Sequence, residues 1–352
     1  VARDARHPGW REGLSHAMRR YGKHTDEDDV RVRPSRKGSR PRTHTRPKHE
    51  DAAEGMVLTV DRGRLTCLVE DRTVTAMKAR ELGRKGVVVG DHVAVVGDLS
   101  GEKDTLARIV RVEPRSSVLR RSADDNDPYE RIVVANADQL AIVTSLADPE
   151  PRPRLIDRCL VAAFDAGLEP LLVLTKSDLA PSEPLLETYA PLGVRHTVTN
   201  RAELAGGEAA ERVRAELSGR TTAFVGHSGV GKTTLVNALV PRRQRATGHV
   251  NAVTGRGRHT TTSALALPLP GDDGWVIDTP GVRSFGLNHV DPARVIHAFP
   301  DLEPGTAECP RACGHDEPDC ALDRWVAEGH AEPARLHSLR RLLATRERRE
   351  GD

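Results

Sequence analysis

Eight consecutive residues, Gly226-His227-Ser228-Gly229-Val230-Gly231-Lys232-Thr233, spell GxxxxGKT. Glycines at these positions let the backbone curl so that successive N–H groups point at one phosphate, and a helix starting just behind adds its partial positive charge. Lys232 is placed to reach the terminal phosphates and the Thr233 hydroxyl to ligate Mg²⁺, with Thr234 beside it in the nucleotide contact set. The flanks fit that chemistry. Thr222-Ala223-Phe224-Val225 reads as a buried strand and Leu235-Val236-Asn237-Ala238-Leu239-Val240 as the first turns of a helix, the strand–loop–helix context that a phosphate loop needs. On this loop alone the chain binds a nucleoside triphosphate.

Two further motifs bear on which one. Asp278-Thr279-Pro280-Gly281 follows the apolar Val276-Ile277 and reads DxxG: Asp278 would hold Mg²⁺ through water, and the Gly281 N–H would contact the γ-phosphate. Thr175-Lys176-Ser177-Asp178 closes an apolar stretch and reads [NT]KxD. The Asp178 carboxylate can accept from both N1–H and the 2-amino group of guanine, a donor pair that adenine lacks. Lys176 would lay its stem along base and ribose, and Thr175 stands where Asn is more usual. Thr199-Asn200, after the next strand, is placed as the loop whose backbone N–H meets guanine O6. The order is unusual, because the guanine-selecting motif precedes the phosphate loop and none follows Gly281. Either the domain is a circularly permuted GTPase, or 175–178 is incidental and the chain is a P-loop ATPase. A third reading is an RNA-binding module that senses nucleotide with little hydrolysis.

A separate cluster, Cys309, Cys313, His315 and Cys320, has the spacing C-x3-C-x-H-x4-C. Three thiolates and one imidazole close a tetrahedral shell of the kind structural Zn²⁺ prefers, with no position left open for catalysis. Cys67 and Cys159 sit in apolar stretches and read as core residues.

The elements that must position these groups divide the 352 residues into an arm and three units. Residues 1–50 carry 14 Lys and Arg against 7 Asp and Glu, a net +7, and lack periodic apolar positions, whereas the rest of the chain is net −5. A disordered basic arm on a near-neutral body suits a polyanionic partner. Over 51–115, Gly55–Val60, Leu65–Val69, Val87–Val89, Val93–Val96 and Leu106–Val112 read as short strands, which predicts a small closed barrel, an OB-fold, and with it RNA binding. Over 116–298, Ile132–Val134, Gln139–Thr144, Glu169–Thr175, Val194–Val198, the phosphate-loop strand and Trp275–Asp278 alternate with helical stretches at 155–164 and 208–217, which predicts an open sheet with helices on both faces. Over 299–352 the Cys/His cluster precedes two helical stretches, the second with Leu336, Leu339, Leu342 and Leu343 on one face. No run of 18 apolar residues spans a membrane, and no apolar signal segment is recognisable. With an odd cysteine count this points to a reducing cytoplasm.

Taken together, the motif order, the stretch Gly255-Arg256-Gly257-Arg258-His259-Thr260-Thr261-Thr262, the stretch Asp278–Leu287 and the Cys/His cluster resemble the ribosome-small-subunit-dependent GTPase A family over roughly residues 55–345. The resemblance implies an OB-fold, a circularly permuted GTPase domain and a zinc domain in that order. It also implies a factor that binds the small ribosomal subunit and its rRNA late in maturation and hydrolyses GTP when engaged there; we expect a monomer. The family spacing is C-x4-C-x-H-x5-C, so both intervals here are one residue shorter. By the same resemblance Thr261 joins Thr233 and Asp278 around Mg²⁺, and His259 orients the attacking water. Ras-like enzymes place a Gln directly after DxxG for that task; Val282 stands here. Cys309 lies only 28 positions beyond Gly281, so γ-phosphate sensing is expected to drive the position of the zinc domain.

Overall fold

Short runs rich in apolar residues, bounded by polar ones, set the first five strands, β1 Ala53–Asp61, β2 Arg64–Val69, β3 Arg72–Lys78, β4 His92–Gly97 and β5 Ala107–Val112. The structure, a computed structural model, describes residues 49–347 apart from 62, 84–85, 123–129, 241–262, 282–284, 288–289 and 312. Most of the basic arm, the 255–262 stretch with His259 and Thr261, and Val282 therefore lie outside the described residues. Strands β1, β2 and β3 run antiparallel, β3 pairs with β5 in parallel, and β5–β4 and β4–β1 close the ring. This is a five-stranded OB barrel, with Val57, Cys67, Val74, Val95 and Ile109 fully buried inside it.

One expected strand is replaced by another. Val87–Val89 is not a strand; it approaches the barrel wall and turns, with Gly90 donating to Val57 O at 2.9 Å and Val89 O accepting from Ala135 N at 3.0 Å. The run is apolar because Val89 is buried in the larger core beyond the barrel. The strand that completes the ring is β3, whose inward positions include only two buried apolar residues, Val74 and Ala76, too few to stand out. At the joint, Gly90 has φ +89°, and a Cβ there would come within 2.1 Å of Ala135 O, so only glycine lets the two backbones meet. Beside it the fully buried Asp91 carboxylate accepts from Arg115 Nε at 2.7 Å and from Val88 N at 2.8 Å.

The second sheet is built from β8 Gln139–Ser145, β9 Glu169–Thr175, β10 Arg195–Val198, β11 Arg220–Gly226, β12 Leu265–Pro268 and β13 Gly274–Asp278. Its order is β10-β9-β8-β11-β13-β12, parallel except for β12. Edge strand β12 also pairs with barrel strand β1 at Thr59–Leu265, so barrel and sheet are continuous. The Ile132–Val134 run lies outside this sheet, in β7 Arg131–Ala135, which among the described residues pairs with β6 Val118–Arg121 in a separate two-stranded sheet.

Because side chains alternate along a strand, the buried parallel strands are apolar on both faces. Ile142, Leu172, Leu174 and Val225 face helix α1 Pro153–Ala166. On the other face Val143, Val173 and Phe224 pack with α4 Glu208–Leu217 and α5 Lys232–Leu239. Helices α2 Glu183–Tyr189 and α3 Arg201–Gly206 follow β9 and β10.

After α6 Pro292–Val295 the chain forms α7 Ala321–Ala327 and α8 Pro333–Glu347. Leu336, Leu339 and Leu342 bury one face of α8 in the core that holds α1, with Leu343 partly buried against it. No helix among the described residues is long and apolar enough to cross a membrane.

Candidate nucleotide site and metal knot

Strand register aligns the candidate residues before any side chain is considered. Phe224 pairs with Asp278, Gly226 with Val143, Ser145 with Thr175, and Leu174 with Val198. The phosphate loop, the DTPG turn, the TKSD turn and the Thr199-Asn200 loop therefore leave one edge of the sheet, the carboxyl edge at which open α/β sheets take ligands.

The loop leaves β11 at Gly226 and enters α5 at Lys232 through Gly231, whose φ of +88° suits glycine. Ser228, Gly229, Thr233 and Thr234 are exposed at its mouth, while Val230 anchors it in the core. Lys232 turns inward, only 6% exposed; its Nζ donates to the equally buried Asp278 carboxylate and to Thr279 O. Thr279 Oγ1 donates to Phe224 O at 2.7 Å. A Cβ at Gly281 would stand 3.5 Å from Ser228 N, so the DTPG turn lies against the loop. In this buried pair each charge compensates the other, so a phosphate at Lys232 or a cation at Asp278 would have to part them and take over as counter-charge.

The TKSD turn is joined to the same loop. Thr175, 4% exposed, donates from Oγ1 to Val230 O at 2.6 Å, with Thr144 O at 3.3 Å beside it. A hydroxyl thus makes the link between base-side turn and phosphate loop. Lys176 sits at φ +61° and donates to Asp148 O, and the Asp178 side chain is exposed. Ser177 N donates to Thr199 O at 3.2 Å, and Thr199 N to Leu174 O at 2.7 Å. The sequence singles out Asn200 for its backbone, but its side chain has a task of its own. Oδ1 caps α3 by accepting from Glu203 N at 2.9 Å, while Arg212 donates to both the Glu203 carboxylate and Val198 O. The hydrogen bond from Arg212 holds the Glu203 carboxyl below its usual range.

The knot is a second, separate site. Cys309 follows a 3₁₀ turn at Glu303–Glu308, and Cys320 stands immediately before α7. The four ligand atoms of Cys309, Cys313, His315 and Cys320 lie within 4.8 Å of one another. Cys309 Sγ is 3.8 Å from His315 Nδ1 and 3.9 Å from Cys320 Sγ, and Cys320 Sγ is 3.9 Å from His315 Nδ1. A tetrahedral ion with bonds of about 2.0–2.3 Å sets ligand atoms roughly 3.5–3.8 Å apart, so the shortened spacing still converges. Glu317 folds the ligand loop by accepting from Gly314 N at 2.8 Å and Asp316 N at 3.1 Å. Those backbone donors, the Gly314 N–H foremost, pull its carboxyl down to about 2. Burial pushes the Cys313 thiol up to about 11 and holds His315 below its usual value; a bound cation would reverse the thiol shift. The buried Cys67 and Cys159 thiols, each pushed up to about 12 by burial, are core residues.

A P-loop beside DTPG, with the guanine-type motif on a strand that precedes it in the chain, defines a circularly permuted GTPase fold carrying an OB barrel and a helical metal-knot unit. A sequence profile of the RsgA GTPase family matches residues 112–288, and the chain belongs to that family. It is 37% identical over 268 residues to the small ribosomal subunit biogenesis GTPase RsgA of Gemmatimonas aurantiaca, covering 76% of this chain and 86% of that one. The crystal structure of YjeQ from Thermotoga maritima aligns with a TM-score of 0.60 at 26% identity, over 85% of this chain and 99% of that one. That of YloQ, a circularly permuted GTPase, shares the fold at a TM-score of 0.58 and 20% identity, over 86% and 98% of the two chains.

Proposed function

We propose that the protein is a GTP hydrolase acting in the cytoplasm on the small ribosomal subunit and its rRNA during late maturation. The barrel over 51–115 and the unit over 299–352 would make RNA contacts, and the unit over 116–298 would bind and hydrolyse GTP. The observation that carries this reading is the Thr175 Oγ1–Val230 O hydrogen bond. It ties the Asp178 turn directly to the phosphate loop on one edge of the sheet, which supports a single guanine nucleotide spanning both.

In this reading Asp178 and the Thr199-Asn200 backbone select guanine, and the backbone of 226–231 with Lys232 holds the phosphates. Thr233, Thr261 and Asp278 would hold Mg²⁺, which neutralises charge on the β- and γ-phosphates when bound. His259 orients the attacking water, while Lys232 and the Gly281 N–H stabilise charge on the transferring group, giving GDP and phosphate. Zn²⁺ at the knot is structural, because all four positions of its shell are filled by the chain.

Displacement of labelled GDP tests nucleotide choice: GTP competes at least about 100-fold better than ATP, and equal competition returns the ATPase reading. Thr175→Val leaves the Val230 carbonyl without its hydroxyl and weakens GDP binding about 10-fold, while Thr175→Ser restores it. His259→Ala lowers turnover about 100-fold with GTP affinity retained; unchanged turnover would remove His259 from the chemistry.

A further inference from the structure

Arg158 lies in the middle of α1, only 2% exposed, beside the buried Asp157 on a packing surface that is otherwise largely apolar. A guanidinium this deep must be satisfied by fixed acceptors, and two of them come from remote parts of the chain. Nε donates to Phe285 O at 2.6 Å and Nη1 to Thr345 O at 2.7 Å. Phe285 lies four residues beyond Gly281, at the exit of the DTPG turn. Thr345 lies in the last turns of α8.

Both ends of this bridge are otherwise fixed. Phe285 and Leu287 are fully or almost fully buried, and Ser122 N donates to Gly286 O at 3.4 Å. The exit segment is thus gripped from the residue that follows β6 as well as from α1. Helix α8 is a strut with two sides. Toward the GTPase unit, Arg335 donates to Pro191 O, Arg341 to Thr188 O, and Arg341 also pairs with Asp157 at 3.3 Å. Toward the knot, Arg340 donates to His315 O at 2.7 Å and pairs with Asp323. A shift of α8 therefore carries both the backbone of a knot ligand and one acceptor of Arg158.

We propose that Arg158 is a positioning residue of the GTPase cycle, its fork holding the exit of the DTPG turn and helix α8 to one another so that the nucleotide site and the metal knot report on each other. The inference rests on the GTPase reading above. Its chemistry is that of a planar fork: two donors on one rigid group fix two carbonyls at one relative position. Coupling of this kind is reciprocal, so disturbance of the knot must reach the turn as surely as nucleotide reaches the knot.

Hydrogen exchange on the full, zinc-loaded chain tests it, comparing GDP with a non-hydrolysable GTP analogue in Mg²⁺. In the unmodified protein the change of nucleotide alters exchange in 333–347 at least about 5-fold. Arg158→Met abolishes that response while analogue affinity and one zinc per chain are retained. Arg158→Lys keeps the buried charge but cannot span both carbonyls, and loses most of the response should the Met variant fold poorly. Arg341→Met removes a neighbouring anchor of α8 without touching the fork and keeps the response; equal loss in Arg341→Met would reduce Arg158 to one packing contact among several. A normal response in either Arg158 variant, or none in the unmodified protein, overturns the proposal. Failure to bind guanine nucleotide overturns the GTPase reading instead. A nucleotide-free arm then still decides the coupling: chelating the metal raises exchange at 285–287 in the unmodified protein, and no change there refutes it.

Discussion

Asp178→Asn converts the site from guanine to xanthine. The exposed Asp178 carboxylate stands at the end of β9, where N1–H and the 2-amino group of guanine would donate to its two oxygens. An amide retains one acceptor but turns a donor toward the 2-amino group, so one hydrogen bond is lost and two donors collide. Hydrogen bonds to a charged partner contribute about 1.5–3 kcal/mol each, so loss of one lowers GTP affinity about 10–150-fold. Xanthine carries a carbonyl at the 2-position, which the new amide can meet, so XTP gains what GTP loses. Competitive displacement of labelled GDP by GTP, XTP and ATP reads all three. Unchanged GTP preference would mean that Thr175–Asp178 is a structural turn and that the permuted order of motifs has another cause. The link from Thr175 to Val230 is untouched by this variant, so loss of phosphate binding is not expected to confuse the result.

Removing the metal should unfold the knot and spare the sheet. The ligand loop is held largely by Glu317 and by its four inward ligands, with few apolar contacts of its own. Structural zinc contributes about 10–16 kcal/mol in finger peptides, far more than so short a loop can supply. Helix α8, by contrast, is docked through Leu336, Leu339 and Leu342. Chelation should therefore disorder 309–320 and loosen α7, which Leu322 still ties to the core, while α8 and the nucleotide site stay folded apart from faster exchange at 285–287. Trp325 is a local reporter: it stacks on His330 at 4.0 Å, and its Nε1 donates to Asp301 O at 2.9 Å. In a chain whose Trp10 and Trp275 are replaced by Phe, emission shifts to the red on chelation while GDP affinity stays within about 3-fold, a local opening rather than global loss. Loss of GDP binding in step with zinc would show that the knot is part of the sheet's own stability.

Much of the site is legible because its chemistry depends on short local patterns. The phosphate loop, DTPG and TKSD each lie within a few residues, and the parallel strands before them are long apolar runs. What the sequence conceals is what depends on distance. Strand β3 carries only Val74 and Ala76 into the barrel, and Val87–Val89 imitates a strand because it serves a junction whose partner, Ala135, is some 46 residues away. Edge strand β12 is four residues ending in proline and is recruited by both β13 and β1. Arg158 sits beside Asp157 in an apolar helical pattern. Two adjacent charges on a buried face were the available signal, and their partners on α8 lie more than 180 residues on.

The most direct test is steady-state GTP turnover titrated with purified small and large ribosomal subunits, at two salt concentrations because phosphate contacts weaken with salt. A small-subunit GTPase predicts turnover that rises at least about 10-fold and saturates with small subunits, remains flat with large ones, and shifts its midpoint to higher subunit concentration at higher salt. Turnover that stays flat with small subunits, or rises equally with both, would contradict it.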